Sequence, residues 1–238
     1  MHTSRLSVAA TAVMLALGAG SAHAQYSGAY IFGDSLSDAG QYGARYTTNP
    51  GLTGPMYVAQ RYGISVTPSF YGGTDYAQGG ARVNSTSPLI PQGVPNLSIA
   101  DQVSLQLAKG PLDGHALYQL WGGSNELLVL VPQAAAGEIT PAQLQAAVVQ
   151  AATDLVAQAV RLQNAGARYL VVYNVPDVGD TPLAAATGSQ AAFTGLSALF
   201  DSTLNAGIAA AHLQVVQVNT FKLLARSSRI PQRSDSPT

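Results

Sequence analysis

A serine stands just past a short apolar run in Ala29-Tyr30-Ile31-Phe32-Gly33-Asp34-Ser35. Apolar residues without polar alternation suit a strand covered on both faces, and Gly33-Asp34-Ser35 ends the run. Open parallel sheets place their ligands beyond the carboxyl ends of the strands, so the Ser35 hydroxyl would emerge where chemistry is done. Two further polar, glycine-rich turns follow strand-like segments: Gly79-Gly80, and Gly123-Ser124-Asn125. Acyl transfer needs such a convergence, because a serine oxygen attacks the carbonyl and fixed donors must meet the oxyanion that forms. The N–H of Ser35, a backbone N–H at Gly80 and the side-chain amide of Asn125 would supply three donors. A helix expected to start after Ser35 would add N–H groups of its own. Glycine at position 80 leaves room for an oxygen to approach. Singly, each has a plainer reading: Asp34 and Ser35 are favoured helix caps, Gly79-Gly80 a tight turn, and Asn125 a cap after its strand.

In order and all at strand ends, the three stretches resemble the first three blocks of the GDSL (SGNH) hydrolases. The first of them reads Phe32-Gly33-Asp34-Ser35-Leu36-Ser37-Asp38-Ala39-Gly40. The likeness continues through Pro176-Asp177-Val178-Gly179 to about Leu224 and is nearest to secreted or autotransporter-type bacterial esterases. It implies a nucleophile at Ser35, an oxyanion-hole glycine at Gly80 (Gly79 being the other register) and an oxyanion-hole asparagine at Asn125. It also implies lipase or esterase chemistry on a small-molecule or lipid ester, without metal or cofactor, in an α/β fold. That fold is a three-layer α/β/α sandwich with a mainly parallel, flavodoxin-like sheet. Glu126 stands where the family has aspartate. The family's final Asp-x-x-His block, whose histidine deprotonates the serine, is absent from the chain. Downstream of Asn125 the sole histidine is His212, with Ala209 where its aspartate should be. His212 and His115 both precede strands and are expected at the sheet edge opposite Ser35, while His2 and His23 precede the mature chain.

The turns need elements to hold them. The spacing predicts a helix over 57–62 closed by Gly63, a short strand within 71–83 running into Gly79-Gly80, and loops over 41–54 and 84–96. A helix over 98–109 should partly bury Ile99, Val103 or Gln102, Leu105 and Leu107, and stop at Gly110-Pro111. A strand over 116–121 leads to Asn125. Thr140, Pro141 and Gln143 form a helix start with a capping box, and Gly166 ends that longest helix. A strand over 169–175, a helix over 190–211 and a strand over 213–218 complete the pattern. Strands alternating with helices of this length indicate βαβ units and a parallel sheet.

Charged residues make up only 10% of the 238 and formal net charge is −1, so nothing electrostatic argues for nucleic acid as a partner. Cysteine is absent, which excludes thiol chemistry and disulfides. No lysine follows the loop over 33–40 as a P-loop requires, and no His, Asp or Glu cluster has metal-ligand spacing. Arg5, the apolar run over 6–20 and Ala22-His23-Ala24 read as a signal peptide over 1–24, cleaved before Gln25. Export is therefore expected, to the periplasm, the outer membrane or beyond, and no later apolar run is long enough for a transmembrane helix. The hydrolase domain is expected over 25–224, incomplete at its C-terminal end through a frameshift or premature stop. A basic, Ser/Pro-rich, disordered tail is expected over 225–238. These features predict a secreted serine esterase, weak or inactive for want of its histidine. The alternative is a non-catalytic exported binding protein derived from a hydrolase fold, and reaction of Ser35 with an active-site serine probe separates the two.

Overall fold

Parallel strands can be joined only by crossovers, and helices returning to the amino edge supply them here. In the computed structural model, which describes residues 25–47 and 51–227, four strands form one parallel sheet in chain order. They are β1 (Ala29–Gly33), β2 (Leu117–Trp121), β3 (Tyr169–Tyr173) and β4 (Val215–Val218). Between β1 and β2 the chain first visits the outer side of β1. Residues 74–78 run parallel to it there, with Ile31 N–H donating to Thr74 O at 3.1 Å and Tyr76 N–H to Ile31 O at 2.7 Å. One connection from β1 thus leads outward and the next leads back inward. The topological switch lies between β1 and β2, and the crevice beyond their carboxyl ends is the place for a ligand.

Side chains alternate between two faces, as a pleated strand demands. Phe32, Tyr118, Leu120, Leu170 and Val172 face a core closed by α2 (Ile99–Leu107), α3 (Ser124–Ala135), α4 (Pro141–Asn164) and α6 (Gln190–Ala210). Ala29, Ile31, Leu117, Val171 and Tyr173 face the other way, onto Met56 and Ala59 of α1 (Gly54–Arg61). The result is the expected three-layer α/β/α arrangement. Gln119 is wholly buried on that second face, where its amide donates to Pro55 O at 2.9 Å and its oxygen accepts from Tyr173 Oη at 2.6 Å. This ties the start of α1 to the middle of the sheet.

Several expectations need correction. Residues 35–37 form a turn and no helix follows Ser35, because Asp38 captures the N–H groups of Gly40 and Gln41 and turns the chain away. Helix α1 starts at Gly54, three residues before the expected start, since Pro55 fits a first helical turn. In α2 the buried residues are Ile99, Gln102, Val103 and Gln106, whereas Leu105 is exposed. The two glutamines are buried because their amides have polar partners inside: Gln102 binds Gly33, and Gln106 Oε1 accepts from Tyr76 Oη at 2.7 Å. Helix α3 and the short α5 (Pro182–Ala186) were not anticipated. A last helix, α7 (Thr220–Ser227), reaches into the stretch expected to be disordered, with Asn219 Oδ1 accepting from Lys222 N–H at 2.9 Å as its cap. The rest of that stretch, 228–238, and the signal peptide over 1–24 lie outside the described residues.

Candidate active site

The carboxyl ends of β1 and β2 lie side by side, Gly33 paired with Trp121. Ser35 follows the first by two residues and Asn125 the second by four. The turn carrying Gly79 and Gly80 is drawn to the same place at three points. Gln78 N–H donates to Gly33 O at 3.0 Å, Gly79 N–H to Asp38 Oδ2 at 2.8 Å, and Asn125 Nδ2 to Ala81 O at 2.8 Å. The structure thus brings Ser35, Gly80 and Asn125 to one crevice. Gly80 has φ +83°, which suits glycine, and a Cβ there would meet the Leu89 backbone at 3.0 Å.

Which donors remain available follows from these bonds. The N–H of Gly79 is taken by Asp38, while the N–H groups of Ser35 and Gly80 have no acceptor among the described residues. Asn125 commits one amide hydrogen to Ala81 and keeps the second. Ser35 is half-buried and its Oγ has no partner among the described residues.

Two more side chains hold this frame, Gln102, to which the sequence assigns no site role, and Glu126. Gln102 of α2 grips Gly33 on both sides, its Oε1 accepting from Gly33 N–H at 2.8 Å and its Nε2 donating to Gly33 O at 2.9 Å. Glu126 accepts from Val83 N–H at 2.7 Å and lies 3.6 Å from Arg82 Nε. A glutamine on the apolar face of α2 was the available signal for the first. The two histidines among the described residues are elsewhere: His115 and His212 are exposed and precede β2 and β4, at the amino edge away from Ser35. A cavity of about 530 Å³ includes Ala39 and Gly40 in its walls, but not Ser35, Gly80 or Asn125. No group of acidic and histidine side chains among the described residues is arranged to hold a metal ion.

The site is rich in buried carboxyl groups. Burial pushes Asp34 up to about 7, against the opposing Leu36 N–H bond and helped by the nearby Glu126 charge. Burial likewise raises Asp75 well above the usual carboxylate range and raises Glu126 and Asp38, in each case against N–H donors that favour the anion. Asp201, which binds Asn174 and Val175 N–H behind the site, is pushed up to about 7 by burial. A raised folded-state pKa means that the folded chain binds more protons than the unfolded chain between about pH 4 and 7. Stability is therefore expected to fall as pH rises through that window and to level off above it. Melting curves should place the midpoint several degrees higher at pH 5 than at pH 8, and Asp34→Asn should flatten part of that slope. A midpoint that rises with pH over this range would contradict the burial of these groups.

Residues 30–227 match the family model described as GDSL-like lipase/acylhydrolase. The chain is 36% identical over 173 residues to Lipase 1 of Photorhabdus luminescens, covering 68% of this chain and 24% of that protein. It is 30% identical over 250 residues to Esterase EstA of Pseudomonas aeruginosa, covering 87% of this chain and 37% of that one. The chain thus spans well under half the length of these relatives. Among solved structures, the native aryl esterase of M. smegmatis aligns with TM-score 0.47 and 18% identity, over 82% of this chain and 84% of that one.

Proposed function

This chain belongs to the GDSL-like lipase/acylhydrolase family, and from that premise we propose that it is an exported serine esterase whose reaction passes through an acyl-serine. Ser35 Oγ attacks the ester carbonyl, the C–O bond to the alcohol breaks, and the alcohol leaves with a proton. Water then releases the acid and regenerates the hydroxyl. The N–H groups of Ser35 and Gly80 and the second amide hydrogen of Asn125 meet the oxyanion in both steps. The observation that carries this reading is that these donors are unused in a crevice where Gly79 N–H and the other Asn125 hydrogen are already engaged. Residues 1–24 serve as the export signal, which the apolar run and Ala22-His23-Ala24 support.

Attack requires that the serine proton be removed, and neither histidine among the described residues, His115 or His212, lies near Ser35 to do so. Losing the base of a serine hydrolase costs roughly 10⁶ in turnover, while oxyanion hole and binding alone retain roughly 10³–10⁴ over water. Weak activity is the consequence. The distant histidines also favour a second reading, an exported protein that binds esters or acids in the same crevice without turning them over.

Incubating the folded chain with p-nitrophenyl butyrate and weighing the intact protein tests the proposal. A butyryl adduct on Ser35 should accumulate, because deacylation lacks a base as much as acylation does. A folded protein with neither adduct nor release above the buffer rate would overturn the esterase reading and leave the binding protein.

A further inference from the structure

The aspartate three residues past Ser35 is buried completely, and the proposed reaction gives it no task. Its carboxylate accepts three backbone N–H bonds. Oδ1 takes those of Gly40 at 2.7 Å and Gln41 at 2.8 Å, and Oδ2 takes that of Gly79 at 2.8 Å. The first two bonds belong to the nucleophile's own loop and the third to the neighbouring turn. The Asp38 N–H in addition donates to Asp34 O at 3.0 Å, closing a loop of backbone around Ser35. A continuous path therefore runs from the Ser35 turn through this carboxylate to Gly79, whose next residue carries the free N–H. Bonds to an ionised acceptor are short and roughly twice as strong as neutral ones, so this is the stiffest link between the two turns. Gln78 and Asn125 hold the Gly79-Gly80 turn to the β1 tip and to α3, but neither binds the loop of Ser35.

From this geometry we infer that Asp38 is a positioning residue for catalysis, setting the Gly80 N–H at the distance from Ser35 Oγ that a tetrahedral adduct requires. The inference rests on the serine reading given above. It follows because Oδ2 of Asp38 fixes the Gly79 N–H, while Ala81 N–H donates to Gln78 O at 3.0 Å and closes a tight turn with Gly79 and Gly80 at its centre, so the Gly80 N–H is carried with Gly79. An uncharged amide cannot replace it. Asparagine has one acceptor oxygen, and its NH₂ group would face an N–H donor on one side or the other. Either Gly79 or the Gly40-Gln41 pair is then released, and the two turns drift apart. Misplacement by an ångström, or the loss of one oxyanion donor, costs roughly 10²–10³ in rate.

The test measures covalent labelling of Ser35 by an alkyl fluorophosphonate, whose transition state also builds charge on an oxygen in the donor site. It separates the limiting rate of labelling from the half-saturating probe concentration. In Asp38→Asn the limiting rate is expected to fall roughly 100-fold while half-saturation moves by less than about threefold, since the donors act on the transition state and not on the bound probe. Asp38→Glu, which keeps the charge and shifts it by one methylene, should lie between wild type and Asp38→Asn. It serves as the test if the asparagine variant does not fold. Ser37→Ala is the control, because Ser37 is equally buried in the same turn and its Oγ has no hydrogen-bond partner. Its limiting rate should match wild type. A labelled wild type with the folded Asp38 variants labelling equally fast, or with Ser37→Ala losing as much, overturns the role of Asp38. A wild-type chain that takes no label overturns the serine reading on which it rests.

Discussion

Ser35→Ala is expected to remove the acyl adduct altogether and to bring ester hydrolysis down to the buffer rate, with the melting temperature almost unchanged. The two halves of that result have separate causes. Ser35 is half-buried and its Oγ has no hydrogen-bond partner among the described residues, so its loss strands no polar group. Substitutions of this kind usually stay within about 0.5 kcal/mol. The chemistry, by contrast, rests on this hydroxyl: the chain has no cysteine, and the neighbouring hydroxyls of Ser37 and Ser124 are buried. Imidazole added to the buffer sharpens the comparison. If the missing part is the base, imidazole should speed wild-type acylation and leave Ser35→Ala at background. An alanine variant that still forms the adduct would place the nucleophile elsewhere. A wild type that turns over rapidly without imidazole would mean that a base acts here after all, with His212 the first to replace.

Much of this site was legible in the sequence because strand ends announce themselves chemically. Buried strands are apolar runs, and Gly-Asp-Ser, Gly-Gly and Gly-Ser-Asn are residues that cannot continue them. A parallel sheet then puts every such turn on one edge, so order along the chain becomes proximity in space. The structure adds what depends on contacts distant in sequence. Gln102 grips Gly33 across 69 residues and Asp38 reaches Gly79 across 41. Neither bond leaves a local pattern beyond a polar residue among apolar neighbours. The same Asp38 bond engages Gly79 N–H and leaves that of Gly80 free, a distinction the two adjacent glycines could not offer. Helix α3 escaped notice because Leu127-Leu128-Val129-Leu130-Val131 is apolar in every position and Pro132 follows. A run that is apolar all round has no 3.6-residue period to read. Asn219 and Thr220 likewise start α7 through Asn174, whose oxygen accepts the Thr220 N–H at 2.6 Å from 46 residues away.

Gly123→Ala should damage the fold severely, lowering the melting temperature by on the order of 10 °C. Gly123 precedes the first residue of α3 with φ +116° and ψ −22°, where a Cβ is strained whatever surrounds it. That strain is worth roughly 1–2 kcal/mol. The surroundings add more. A Cβ at this position would lie 2.4 and 2.6 Å from two atoms of the Phe200 ring and 2.8 Å from Val175. Phe200 is wholly buried between α6 and the sheet and cannot swing aside, so the core must shift, at a further cost of roughly 1–3 kcal/mol. The first turn of α3 carries Asn125 and Glu126, so any shift also moves the proposed oxyanion donor Asn125. Gly137→Ala isolates the backbone part, since Gly137 has φ +74° with nothing within 4 Å of its Cβ position. Thermal melts of the two variants should therefore differ by several degrees. Equal melting temperatures would mean that Phe200 and Val175 give way freely, and that β2 passes into the helix bearing Asn125 with room to spare.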